Sequence, residues 1–242
     1  MSPIAPKKQN VRKLTLSHDH VMARTARASK GSICYHAINR GNARSTVYHD
    51  SSDYDSFVDL MIRASGRIPM RILSYCLMPN HFHLVLWPYG DGDMSRWIQW
   101  LLTSHVRRYH RLRGTSGRIW QGRFKAFPIQ QDRHLLAVMR YVERNPVRAN
   151  LVESATDWQW SSLVHQDNTI SQTLLSVSPV TKPPDWLRLV DHPQTEDEIS
   201  ALRRCSFKCA PFGSDHWVRD TAAQLGLKSS LRGPGRPKKT HS

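Results

Sequence analysis

Met78-Pro79-Asn80-His81-Phe82-His83-Leu84-Val85-Leu86-Trp87 puts two histidines on one side of what reads as a buried strand. Strand side chains alternate faces, so His81, His83, Val85 and Trp87 point one way and Phe82, Leu84 and Leu86 the other. Two imidazoles two residues apart on one face can converge on a single metal ion. Histidine is costly to bury unless a hydrogen bond or a metal satisfies its nitrogens, so a pair in an apolar run needs a cause. A hydrogen-bonded pair at a strand end is the alternative to a metal. The choice turns on whether the rest of the chain supplies further ligands and a reactive group.

Upstream, Ile72 to Met78 reads as another strand, and Pro79-Asn80 is favourable turn chemistry, so the two strands are expected to form an antiparallel hairpin. Both are apolar on both faces, which predicts the middle of a sheet and not its edge. Ile33 to Asn39 is a first strand. A helix follows, with N-cap candidates at Asp50 to Asp53, apolar positions Phe57, Leu60, Met61 and Ala64, and Gly66 placed to stop it. Beyond the histidine strand, a long helix is expected from about Ser95 to Arg113, its inward stripe running from Met94 through His105 to Tyr109 and Leu112. A strand ends at Ile129, where Pro128 points to an edge position. Asp132 caps a helix from Arg133 to about Arg144, which Asn145-Pro146 ends. The order strand, helix, strand, strand, helix, strand, helix predicts an α+β fold: a ferredoxin-like antiparallel sheet backed by helices.

The chain has 242 residues and a formal net charge of +16. The excess is localised: residues 1–30 carry +6, residues 228–242 carry +5, Arg96 to Arg133 carries +8, and the remainder sums to −3. That distribution is the footprint of a polyanion binder, with nucleic acid the first candidate, although solvated disorder would also account for the tails. No run of 18 apolar residues is present and the basic N-terminus lacks the apolar core of a secretory signal, so a cytoplasmic, nucleoid-associated protein without a membrane partner is expected. Cys34 and Cys76 sit in apolar runs, and Cys205 and Cys209 lack a second pair at zinc-finger spacing. The expected organisation is a flexible basic arm over 1–30, a catalytic domain over 31–165, an irregular linker over 166–194, a small helical appendage over 195–227 and a disordered basic tail over 228–242. Asp157-Trp158-Gln159-Trp160-Ser161-Ser162 is expected to pack its tryptophans back onto the domain.

The helix before Pro146 offers what the histidines lack. Tyr141 and Asn145 are four residues apart, hence on one helical face. The phenol is a candidate nucleophile. The amide oxygen is a candidate third ligand for a hard metal, and two imidazoles, an amide oxygen and a phosphate oxygen suit Mg²⁺ or Mn²⁺ better than a closed zinc site. Packing for Tyr141 and a helix-terminal role for Asn145 are the structural alternatives. Glu143 projects away from Tyr141, and His134 in the first turn is assigned to the surface.

The histidine motif resembles that of the single-tyrosine HUH nucleases, and Arg140-Tyr141-Val142-Glu143-Arg144-Asn145-Pro146 resembles their tyrosine helix. Trp120-Gln121-Gly122-Arg123-Phe124-Lys125, the segment at Trp158 to Ser162 and the C-terminal Gly235-Arg236-Pro237 are similar to the REP-associated tyrosine transposases. The resemblance implies a DNA transposase and endonuclease that cleaves and rejoins single-stranded, REP-like hairpin DNA through a 5′-phosphotyrosine. It implies Tyr141 as nucleophile, His81, His83 and Asn145 as metal ligands, and no nucleotide cofactor, in keeping with the lack of a GxxxxGK[ST] loop. A monomer is expected, with a dimer as the alternative.

For DNA contact the candidates are Arg118, Gln121, Arg123 and Lys125, with Trp120 as a stacking surface and core packing as its alternative. Arg107 and Arg111 on the long helix, Arg40 after the first strand and Arg236 in a minor-groove-like arm complete the set. Two other functions stay open: a domesticated repeat-binding protein, and a zinc hydrolase using His81 and His83 to activate water.

Overall fold

The computed structural model describes residues 29–164 and 173–233. Its elements are β1 (Cys34–Arg40), α1 (Ser51–Arg67), β2 (Met70–Met78), β3 (His81–Pro88), α2 (Asp93–Arg113), β4 (Lys125–Ile129), α3 (Arg133–Glu143), α4 (Asn145–Arg148), α5 (Trp186–Asp191), α6 (Glu196–Lys208) and α7 (Asp215–Gln224). The four strands form one sheet in the order β2-β3-β1-β4, every neighbour antiparallel. That is the ferredoxin-like order expected from the sequence. The calls on the N-terminal arm to residue 28, on linker residues 165–172 and on Arg236 with the end of the tail lie outside the described residues.

The hairpin at Pro79-Asn80 forms as expected, with Met78 opposite His81. Its turn is held from outside. The Pro79 carbonyl accepts from the Val47 and Tyr48 amides at 2.8 and 3.1 Å, and the Asn80 carbonyl accepts from Gly41 N–H at 2.7 Å. On the other side of β3, Ile38 lies opposite His83 and Arg40 opposite His81.

Period-2 alternation divides the core into two layers. Phe82, Leu84 and Leu86 pack with Tyr35 and Ala37 against Phe57 and Met61 of α1 and Trp97 and Leu101 of α2. Val85 faces the other way, with Cys34, Phe127 and Ile129, against Leu135, Val138, Met139 and Val142 of α3. The helices therefore cover both faces of the sheet, and α3 is the helix packed directly over the strand face that carries the histidines, with later chain beside it.

Several expectations change. The hairpin is not wholly interior: β3 is central, but β2 is an edge strand. Its two apolar faces follow from having helices on both sides. Its outer edge is covered by later chain: Leu77 N–H donates to the Trp160 carbonyl, Ser162 N–H to Tyr75 and Ser176 N–H to Ile72, all at 2.8–2.9 Å. At the opposite edge, where Pro128 does lie, Phe212 N–H donates to the Pro128 carbonyl and Gln130 N–H to the Phe212 carbonyl, each at 2.9 Å.

Gly66 does not stop α1, which runs to Arg67; Ile68 turns extended because Pro69 follows it. Leu112 is 60 % exposed and does not join the α2 stripe. The helix before Asn145-Pro146 ends as expected, but a further short helix follows directly. After α3 closes at Glu143, Arg144 keeps helical angles and α4 starts, with proline in a first turn where its missing N–H costs nothing.

Within the stretch expected to be irregular, α5 forms, and residues 228–231 of the expected disordered tail form a 3₁₀ turn. Trp186 and Val190 of α5 and Ile199 and Leu202 of α6 are buried in the same core as α3. Trp158 Nε1–H donates to the Leu77 carbonyl at 2.9 Å and the Trp160 ring lies 4.1 Å from that of Tyr54, so both tryptophans pack back as expected. All four cysteines are free thiols.

The fully buried Glu143 ties α3 to this later chain. It accepts from Trp186 Nε1–H at 2.7 Å, from the Ser162 hydroxyl at 3.0 Å and from Lys182 at 3.2 Å. Replacing it leaves the buried Trp186 indole N–H without an acceptor, while the Ser162 hydroxyl can turn to Ser74 at 3.1 Å and the partly exposed lysine can swing to water. Glu143→Ala should therefore lower stability by about 2–4 kcal/mol in urea denaturation, and Glu143→Gln by less.

Candidate active site

The two histidines come to face α3 through the strand alternation alone. A cleft of about 340 Å³ opens where the end of β1 meets the start of β3, lined by Arg40, His81, His83, Tyr141 and Asn145, with Arg148 beside them. The Tyr141 ring stands edge-on to His83, centroids 5.8 Å apart and planes at 84°. The rings of His81 and His83 lie 5.0 Å apart. Residues separated by about 60 positions in sequence thus share one cavity.

Each histidine is held through Nδ1. The Asn80 side-chain oxygen accepts from His81 Nδ1–H at 2.6 Å, while Asn80 Nδ2 donates to the Arg44 carbonyl at 3.0 Å. His83 Nδ1 and His36 Nε2 share a hydrogen bond of 2.8 Å, their rings within 3° of parallel. Both Nε2 atoms are thereby left available, the arrangement that outer partners impose on metal-binding imidazoles. For His83 Nε2 to keep its lone pair, His83 must donate through Nδ1, so His36 carries its own proton on Nδ1. That atom is buried and without a partner.

Asn145 is 5 % exposed, and its side-chain oxygen accepts from Arg148 at 2.8 Å; its Nδ2 is buried without a partner. An amide oxygen has two lone pairs, so one remains for a cation. The Arg148 guanidinium also lies over the Tyr141 ring, 4.0 Å from its centroid. Among the described residues no group of three or more His, Cys, Asp or Glu gathers around a common point. The donor set that fits a metal here is two imidazoles and one amide oxygen.

Electrostatics keep the imidazoles neutral. Burial, reinforced by the Arg148 charge, pushes His36 down to about 3. Burial, then Arg40 and Arg148, takes His81 to about 4, and burial with the neighbouring imidazoles holds His83 well below its ordinary value. Arg148 is itself lowered, first by burial and then by Arg203, with the Tyr141 hydroxyl opposing.

The other expected residues divide. Arg40 lines the cleft. Gln121, Arg123 and Lys125 line an adjoining one, and Arg118 a wider groove beyond. Trp120 is not a stacking surface: it is 6 % exposed, packed among Phe57, Phe82 and His105, because the chain turns that side of the segment onto the α1–α2 core. Arg107 and Arg111 are exposed on α2, which covers the opposite face of the sheet, and are not brought to the cleft. His134 is not a surface side chain: it is 17 % exposed, its Nδ1–H donates to Asp132 at 2.7 Å and its ring meets Phe212 edge-on, because the later chain packs against the start of α3. The sequence reading missed His36 and Arg148. His36 could have been found by the rule that singled out His81 and His83, since it too lies in an apolar strand.

Buried neutral histidines link stability to pH. Where the folded pKa is below the unfolded value near 6.5, the unfolded chain binds more protons and stability falls as pH drops. Between pH 6.5 and 4.5 the metal-free protein should lose about 2–3 kcal/mol through His36 alone. Thermal unfolding across that range should show a shallower pH dependence in His36→Phe than in the wild type.

Comparison with known proteins covers the same part of the chain. Residues 29–145 match the family model of IS200-like transposases. A Haemophilus influenzae protein assigned to the REP-associated tyrosine transposases is 30% identical over 109 residues, 41% of this chain and 61% of that protein, so less than two thirds of its length is spanned. Among solved structures, a REP-associated tyrosine transposase bound to a REP hairpin is similar at a TM-score of 0.49 and 24% identity, over 64% of this chain and 88% of that one. A Deinococcus radiodurans protein solved as a transposase is similar at a TM-score of 0.36 and 17% identity, over 50% of this chain and 95% of that one. Residues 29–145 thus resemble the IS200-like transposases, and part of the chain is similar to a REP-associated tyrosine transposase.

Proposed function

We propose that this chain cleaves and rejoins single-stranded DNA beside hairpin repeats, forming a transient 5′-phosphotyrosine on Tyr141. One observation carries the reading: the Tyr141 ring on α3 faces His83 on β3 at the helix–sheet interface, centroids 5.8 Å apart, in a cleft that also holds His81 and Asn145. The Tyr141 oxygen attacks phosphorus, the bond to the 3′-oxygen breaks, and that oxygen leaves with a proton as a free hydroxyl. The phosphodiester is exchanged and not hydrolysed, so the reverse attack by a 3′-hydroxyl rejoins a strand without a nucleotide cofactor.

His81 and His83 through Nε2, with the remaining lone pair of Asn145, would hold Mg²⁺ or Mn²⁺, which when bound would polarise the phosphate and stabilise developing charge. The Arg148 guanidinium over the phenol ring fixes the position of Tyr141 in the cleft. Arg40, with Gln121, Arg123 and Lys125 in the adjoining cleft, supplies cations and donors for the DNA backbone. Such a protein works in the cytoplasm on nucleoid DNA, and one copy contains the whole site.

Incubated with a hairpin carrying a labelled single-stranded flank and Mg²⁺ or Mn²⁺, the protein should give a covalent adduct on a denaturing gel. Chelation and Tyr141→Phe should each abolish it. Hairpin binding with no adduct in either metal would overturn the proposal.

His36 orients His83 from behind, and outer partners of this kind are worth about 10–100-fold in metal affinity. His36→Phe should raise the Mn²⁺ concentration for half-maximal adduct by about that factor while leaving the yield at saturating metal nearly intact. An unchanged metal requirement would reduce His36 to packing.

A further inference from the structure

The family model stops at residue 145, yet the cleft has a wall built from later chain. Helix α6 turns Ile199 and Leu202 into the core, and a capping box between Thr195 and Glu198 fixes its start. Arg203, Ser206 and Phe207, at helical spacings of three and four, lie on one face. Arg203 and Ser206 line the catalytic cleft. Ser206 and Phe207 line the adjoining cleft, also about 340 Å³, whose floor carries Arg40, Arg123 and Lys125. Ile38, Arg40 and Ser206 belong to both, so the two cavities adjoin each other along the same wall.

Phe207 stands out on this wall. It is 76 % exposed, and Lys125 Nζ sits 5.0 Å from its ring centroid. An isolated exposed phenylalanine is unremarkable on most surfaces. Here its ring stands at the mouth of a cation-lined cleft that adjoins the one holding Tyr141, and a flat apolar face beside paired cations is the chemistry that receives a nucleobase with its phosphates. Each cavity lies at the low end of ligand-sized clefts, about 300–1,000 Å³, which suits an unpaired strand and not a duplex.

We propose that α6 is the outer wall of a channel for the single-stranded flank of the DNA. Phe207 stacks on the base of a nucleotide next to the scissile phosphate, and Arg203 pairs with a backbone phosphate. This rests on the reading of the cleft as a strand-cleaving site.

The test uses full-length Tyr141→Phe protein without divalent metal, so no cleavage intervenes, and a DNA hairpin whose single-stranded flank carries 2-aminopurine at successive positions. Binding should quench fluorescence at one position by stacking. Adding Phe207→Ala should abolish that quench and weaken binding about 5- to 100-fold, while Phe207→Trp keeps both. Thermal melting of each variant separates lost stacking from lost folding. Quench and affinity unchanged in Phe207→Ala would overturn the proposal.

The adduct assay on wild-type protein judges the underlying reading separately. An adduct with no role for Phe207 removes the channel alone. A Phe207-dependent quench without any adduct keeps the channel and removes the phosphotyrosine. Failure to bind the hairpin removes both.

Discussion

The register of β3 is the constraint on which the site depends. Because strand side chains alternate, a slip of one residue against β1 would turn both histidines into the α1–α2 core and expose Phe82 and Leu84 to α3. Two things prevent it. The apolar faces are unequal partners for the two helical layers, and the Pro79-Asn80 turn is bonded to the 41–48 loop by three backbone hydrogen bonds. Asn80 uses its backbone to fix the turn and its side chain to orient His81, so the same residue sets register and imidazole direction.

Charge and burial then cooperate. Arg40 and Arg148 stand beside imidazoles that burial keeps neutral, so the cleft is cationic without the histidines contributing charge. A phosphate entering it meets positive side chains and unprotonated nitrogens, which is the state that ligation requires. Arg148 serves two groups at once, the Tyr141 ring and the Asn145 oxygen, and couples the expected nucleophile to the expected ligand through a single guanidinium.

Much of this was legible before any coordinates. Alternation predicted the facing of His81 and His83, helical spacing put Tyr141 near Asn145, and the order of elements gave the ferredoxin-like sheet. What stayed hidden depends on contacts between distant segments. That His36 backs His83 follows from β1 pairing beside β3, and that Arg148 turns back over Tyr141 follows from α4 continuing past Pro146. Trp120 was misjudged because a segment mixing cations and aromatics does not say which side faces inward. The edge position of β2 was hidden for a similar reason, since helices bury both of its faces and later chain covers its rim.

That covered rim has a consequence for assembly. An antiparallel sheet with free edges can be lengthened by a second copy, main chain to main chain. Here the 160–162 and 175–176 segments occupy β2, and residues around Phe212 occupy β4, so both ends of the sheet are already answered from within the same polypeptide. Among the described residues, the sheet edges are therefore closed to extension, and two copies would have to meet through helices or side chains.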